Sequence, residues 1–277
     1  MLNCRGKLLD LTSPKVMGIL NVTPDSFYDG GRFQNEKEIS SQVKKMIDEG
    51  AHIIDVGGSS SRPGSNPVTA AEEISRLSVA LSAIRKDFPD IILSVDTHTA
   101  KVAEHVINEF HVDMINDISA GELDDQMFET IAKFRVPYII MHMKGTPSTM
   151  QTLTQYDNIL REIIDYFSVK VDRLEKLGVT DIIIDPGFGF SKTLEQNYYL
   201  LSQLHLFRML EKPVLAGLSR KSMIYNALDI EPAEALNGTI VLNTLALYHG
   251  VSILRVHDVK EAVQTVSLVE KFRNSTK

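Results

Sequence analysis

Eight short apolar runs recur along this 277-residue chain, and a polar residue cuts each one off where a loop begins. The clearest is DIIIDPGFGFSKT, Asp181–Thr193. Three successive isoleucines are apolar and β-branched, which suits a strand buried on both faces. Asp185 ends the run, and Pro186, Gly187 and Gly189 break any helix there and make a tight loop. Helical spacing resumes near Leu194. The unit is a buried strand that delivers a carboxylate to its C-terminal end, beneath a glycine loop that lets a ligand come close.

The same grammar predicts strands at Val16–Leu20, Ile53–Val56, Ile91–Val95, Met114–Ile115, Tyr138–Met141, Val214–Gly217 and Ile253–Arg255. The eight strand ends fall at Asn21, Asp55, Asp96, Asn116, His142, Asp185, Lys221 and His257. Helical patterns separate them, and most steps approach or exceed the roughly 30 residues of a parallel crossover unit. Eight such units read as one α/β domain over residues 1–277, a single (β/α)8 TIM barrel with a short N-terminal extension, 1–14. Its active site is expected at the C-terminal ends of the strands. An open, doubly wound sheet is the alternative. No Pro/Ser-rich linker or composition shift marks a second domain.

Composition narrows the function. A net charge of −7 gives no general attraction for nucleic acid or an anionic membrane, so neither is an expected partner. The one cysteine, Cys4, excludes an internal disulfide and a thiolate metal cage. No apolar run is long enough for a membrane span and no signal peptide is visible, so a cytoplasmic location is expected. There is no HExxH and no triad signature to support a hydrolase.

Barrel closure brings the strand ends to one mouth. Asp96, Asn116 and Asp185 offer carboxylates and an amide, a set that suits the N–H edge of a flat heterocycle such as a pterin or purine. Lys221 can donate to a ring carbonyl. Arg62, Arg255 and His257, with Asn21 nearby, suit a phosphate or diphosphate, with Mg²⁺ as counter-ion because the candidate ligands are oxygens. Asp55 precedes the Gly57–Gly58 pair and is expected to hold loop backbone. His142 ends a strand but faces an ordinary loop. Chemistry alone stops at a barrel enzyme acting on a flat heterocycle that bears phosphate.

At these residues the chain resembles a known family. MGILNVTPDSFYDGG (Met17–Gly31) and DVGGSSSRPGS (Asp55–Ser65) resemble the signature loops of the dihydropteroate synthases. SVDTH, NDISAG, MHMKGTPSTMQ, DPGFGFSKT, GLSRKS and RVHDV are similar to further blocks of that family, in its order, from about Lys15 to Glu261. The resemblance implies a transferase of folate biosynthesis. It would join 6-hydroxymethyl-7,8-dihydropterin diphosphate to p-aminobenzoate, release diphosphate, and be a target of sulfonamides. By position, Asp96, Asn116, Met141, Asp185, Phe190 and Lys221 would hold the pterin. Asn21, Ser61, Arg62, Arg255 and His257 would meet the diphosphate, with Asn21 on Mg²⁺. Phe27, Ser61, Arg62, Pro63, Lys221 and Ser222 would shape the p-aminobenzoate pocket, and Asp29 would order the first loop. Lys221, Asp96, Asp185 and Arg255 are the implied catalytic set, and a homodimer is expected.

Three departures from the family pattern stand out: Tyr28 in place of Ser, Ser59-Ser60-Ser61 in place of Glu-Ser-Thr, and Ser191 in place of Gly. The pterin set is unchanged. A pterin-dependent methyltransferase barrel and a non-catalytic pterin-binding barrel are the alternatives, and diphosphate release with both substrates separates them.

Overall fold

The computed structural model describes residues 1–22, 36–59 and 68–275. Ten strands and nine helices are found among them. A hairpin of β1 (Leu2–Cys4) and β2 (Lys7–Leu9) comes first. The strands β3 (Lys15–Asn21), β4 (Ile53–Gly57), β5 (Ile92–Asp96), β6 (Met114–Asp117), β7 (Tyr138–Met141), β8 (Ile182–Asp185), β9 (Leu215–Ala216) and β10 (Ile253–Val256) then form one parallel sheet. Its order is β8-β7-β6-β5-β4-β3-β10-β9. The two ends meet through a parallel bridge, Ile184 to Val214, and Ile184 N–H donates to the Pro213 carbonyl at 3.0 Å. The sheet is thus a closed barrel, and the open-sheet alternative is excluded.

Helices α1 (Glu36–Asp48), α2 (Ala70–Asp87), α3 (Ala100–Phe110), α4 (Met127–Phe134), α5 (Ile159–Lys176), α6 (Leu194–Ser202), α7 (Ser222–Leu228), α8 (Leu236–Tyr248) and α9 (Val259–Asn274) surround it. Local chemistry sets several of their starts. Thr193 and Gln196 make a reciprocal cap on α6, and Thr69 and Asn158 cap α2 and α5. None of the described helices is long and apolar enough to cross a membrane.

Period-two alternation sorts each strand into two rows. Val16, Leu20, Ile54, Val56, Leu93, Val95, Ile115, Ile140, Ile184 and Leu254 join the buried layer beneath the helices. Met17, Ile53, Met114, Ile139, Ile183, Leu215 and Ile253 form a separate cluster inside the barrel with Leu2, Cys4 and Leu9 of the hairpin. The N-terminal extension expected from sequence is therefore a structured plug at the N-terminal end of the barrel. Two residues further along the same inward row stand Ile19, Asp55, Ser94, Asn116, Met141, Asp185, Gly217 and Arg255. The interior thus changes from apolar to polar along the barrel axis, and the polar end is the mouth.

Two sequence expectations are corrected. Lys221 is not a strand end: β9 stops at Ala216, and Lys221 is the N-cap of α7, a seven-residue helix that the periodicity did not predict. Asp55 is not beside loop backbone: it lies mid-strand in β4, fully buried, and its partners are side chains.

Candidate active site

The inward polar row meets in a charge cluster. Asp55 Oδ2 accepts from Arg255 Nε at 2.6 Å and from Asn116 Nδ2 at 3.0 Å. Arg255 Nη2 donates to Asp96 Oδ2 at 2.7 Å. One guanidinium is shared between two carboxylates. Burial opposes the Arg255 charge, but Asp55 and Asp96 outweigh it and raise its pKa. Asp96 is the half-buried member facing the opening. Burial, with Asp55 as the nearest like charge, overcomes the pull of Arg255 and pushes its pKa up to about 7. The expected division of the mouth into an acidic side and a basic side is therefore not seen, because Arg255 sits among the acids.

The second half of the site is built on β8. Asp185 is nearly buried, and its Oδ1 accepts the Gly187 N–H at 2.8 Å. Burial raises its pKa, and the Lys221 charge partly offsets that. Gly187 has φ +73°, and a Cβ there would collide with the His142 carbonyl oxygen, so the turn requires glycine. Phe190 N–H closes the turn on the Gly187 carbonyl at 3.1 Å, and Gly189 N–H is held by Asn197 Oδ1 at 2.7 Å. Lys221 reaches over this turn. Its Nζ donates to the Phe188 carbonyl and lies 4.8 Å from the centre of the Phe190 ring. Burial lowers its pKa to about 8, with Asp185 opposing.

Above these groups opens a cavity of about 490 Å³. Asn21, Asp96, Phe190, Lys221, Ser222, Arg255 and His257 line it. Seven of the residues expected from the sequence thus share one wall. Asn116, Met141 and Asp185 lie deeper, nearly buried, and do not line it. His257 is fixed beside Ser219, whose Oγ is 3.2 Å from both its backbone nitrogen and its Nδ1. Phe27, Ser61, Arg62 and Pro63 lie outside the described residues, as do Tyr28, Asp29 and Ser60.

Several contributors were not read from the sequence. Met150, Gln151, Tyr225 and Asn226 also line the cavity. Asp117 braces the end of β6: Oδ1 accepts Ser119 N–H at 2.8 Å, and Oδ2 accepts Gly121 N–H at 2.8 Å and the Tyr138 hydroxyl at 2.6 Å. Lys192 is a buried lysine directly behind the glycine turn. The visible signal for Lys192 was its place at the end of GFGFSK, a charge in an otherwise apolar and glycine run. His142 contacts Lys192 rather than an ordinary loop.

Chemically, the site offers Asn116 and Asp185 deep in the barrel, the paired Asp96 and Arg255 at the cavity wall, the Lys221 ammonium over the β8 turn, and the His257 imidazole on the same lining. Such a set can hold the N–H edge of a flat ring at one end and an anionic group at the other.

Comparison with known proteins agrees with this chemistry. A family model described as "Pterin binding enzyme" matches residues 17–257. The dihydropteroate synthase of Escherichia coli K12 is 41% identical over 275 residues, covering 96% of this chain and 94% of that protein. The Synechocystis dihydropteroate synthase is 43% identical over 258 residues, covering 92% and 89%. Among solved structures, Yersinia pestis dihydropteroate synthase with a sulfonamide drug complex superposes with a TM-score of 0.93 at 39% identity, covering 99% of each chain. Sequence, barrel and site therefore agree that this chain belongs to the dihydropteroate synthase family of pterin-binding enzymes, transferases of folate synthesis.

Proposed function

We propose that the cavity takes 6-hydroxymethyl-7,8-dihydropterin diphosphate and p-aminobenzoate and joins them into 7,8-dihydropteroate. The observation that carries this reading is the convergence of Asp96, Asn116 and Asp185 with Lys221 and Arg255 at one barrel mouth. The relatives support it. A Clostridium difficile dihydropteroate synthase has been solved in the presence of pteroic acid, and a Xanthomonas albilineans one with 4-aminobenzoic acid.

In this reading the ring enters over Asp185 and Asn116 and lies against Phe190, with Lys221 at its carbonyl. Lys221 leaves the Phe188 carbonyl to do so. The carbon–oxygen bond between the exocyclic CH2 and the diphosphate breaks, and its electron pair leaves with the diphosphate. Asp96 and Asp185 favour the cationic ring that remains. The amine of p-aminobenzoate then forms the new carbon–nitrogen bond and loses its proton to water. An aryl amine is already nucleophilic, so no side-chain base is assigned. Arg255 and His257 meet the departing anion, and Ser222, at the start of α7, meets the aminobenzoate carboxylate.

Asn21 lines the same wall as Arg255 and His257, and no group of three or more His, Cys, Asp or Glu able to hold a metal is found among the described residues. Asn21 would offer one neutral oxygen to a Mg²⁺, which would need its other oxygens from outside the protein. When bound, that ion neutralises developing charge on the leaving group.

The test is an assay of diphosphate release with both substrates and Mg²⁺. Release that depends on p-aminobenzoate supports the reading, whereas methyl transfer from methyltetrahydrofolate would replace it. Positional isotope exchange in the pterin diphosphate, without p-aminobenzoate, is expected if departure precedes attack.

The reading extends to a second copy of the chain as partner. Leu245 and Tyr248 of α8 and Leu268 and Phe272 of α9 are 43% to 67% exposed and share one surface depression whose lining carries no charged residue. An exposed face of that composition suits a two-fold contact. A reducing cytoplasm accords with the single, buried Cys4.

A further inference from the structure

Lys192 is 6% exposed, and no step above uses it. Four acceptors surround its Nζ: the carbonyls of Gly187 at 2.9 Å, Phe190 at 2.9 Å and His142 at 3.3 Å, and His142 Nδ1 at 3.1 Å. Three backbone carbonyls converge on one nitrogen. A neutral amine has two protons for them, and an ammonium has three. The two shortest contacts span the Gly187–Phe190 turn, which joins the Asp185 carboxylate to the Phe190 ring. The third group, His142, ends β7 next to β8, and its backbone N–H donates to the Asp185 carbonyl at 3.1 Å. Burial, reinforced by Lys192 and Lys144, lowers the His142 pKa to about 2, so its ring is neutral, and in the Nε2–H tautomer its Nδ1 accepts from Lys192. Burial lowers the Lys192 pKa well below the usual lysine range, with Asp185 as the largest opposing influence, and it is the three converging carbonyls that favour the charged form.

We propose that Lys192, as an ammonium, is a positioning residue for the ring-binding half of the site: it pins both ends of the Gly187–Phe190 turn and ties them to His142, so that the Asp185 carboxylate and the Phe190 ring hold the spacing a flat heterocycle needs. This rests on the pterin reading given above. Lys192 itself touches neither the cavity wall nor a substrate, since Phe188, Gly189 and Phe190 stand between them.

The clamp predicts a specific separation of kinetic effects. Lys192→Met keeps the unbranched stem of the side chain, one atom shorter, and removes its donors. It is expected to raise KM for the pterin diphosphate by about tenfold or more while KM for p-aminobenzoate stays within about twofold. Lys192→Gln retains an N–H2 group and should recover part of the loss. A lysine that only supports the fold would lower the active fraction, seen in kcat, and leave the pterin KM alone. That result would overturn the proposal. Nitrogen-15 NMR of the ligand-free protein supplies an independent arm. Nδ1 of His142 should be unprotonated in the wild type, and its resonance should move in Lys192→Gln. A protonated Nδ1 would make Lys192 an acceptor and remove the ammonium clamp. If Lys192→Met fails to fold, the wild-type His142 signature decides the question. If the wild type forms no product, the functional reading fails separately, because the His142 measurement needs no ligand.

Discussion

Asp96 and Asp185 are both acids whose protons are held more tightly in the folded chain than in water, and the sign of that shift has consequences. A carboxyl with a raised folded pKa contributes stability at acid pH and loses it as pH climbs through the folded value. For Asp96 the window runs from about 4 to about 7. Asp96→Asn removes that dependence. Thermal melts should show the variant gaining on the wild type by more than about 1 kcal/mol between about pH 4 and about pH 8, and parallel curves would refute the shift. Asp185→Asn should keep the fold and weaken pterin binding by more than about tenfold in calorimetry, because it removes a charge-assisted acceptor. Lys221→Ala should lower turnover by more than about tenfold, since the ammonium near the Phe190 ring is lost; wild-type kinetics would remove Lys221 from the site.

At the scale of elements, the strands were legible and the connections less so. A strand announces itself by a β-branched run with a polar stop, so β8 was readable to within a residue, as Ile182–Asp185. Barrel closure then brings the strand-end residues Asn21, Asp96, Asn116, Asp185 and Arg255 to one mouth, and the observed alternation puts them on its inward row. What alternation cannot show is which inward groups pair. Asp55 became the buried partner of Arg255 only because strands β4 and β10 flank β3. Helix α7 is invisible to periodicity because seven residues complete barely two turns and give no usable period, and only the family resemblance implies a helix that starts at Ser222. The hairpin was missed because two three-residue strands leave almost no pattern. Its worth is measurable. Leu9→Ala removes one of the buried side chains that fill the barrel from below and should cost about 2 kcal/mol, the low end for such truncations because a terminal hairpin can settle into the gap. Turnover at a temperature well below the melt should be unchanged.

The described residues form one barrel with a polar mouth at one end and apolar packing at the other, and its outer face is not uniform. The apolar patch on α8 and α9 lies on the barrel's flank, so pairing through it leaves both mouths open. Leu268→Glu is expected to shift sedimentation toward the monomer while the diphosphate-release rate per chain changes by less than about twofold. An unchanged sedimentation coefficient would exclude this face as the contact.

The plug formed by Leu2, Cys4 and Leu9 has a practical corollary. Met1 is exposed, and the hairpin lies at the end of the barrel remote from the polar mouth. An affinity handle or a sensor surface joined there would grip the protein by its sealed base and leave the polar opening directed into the liquid.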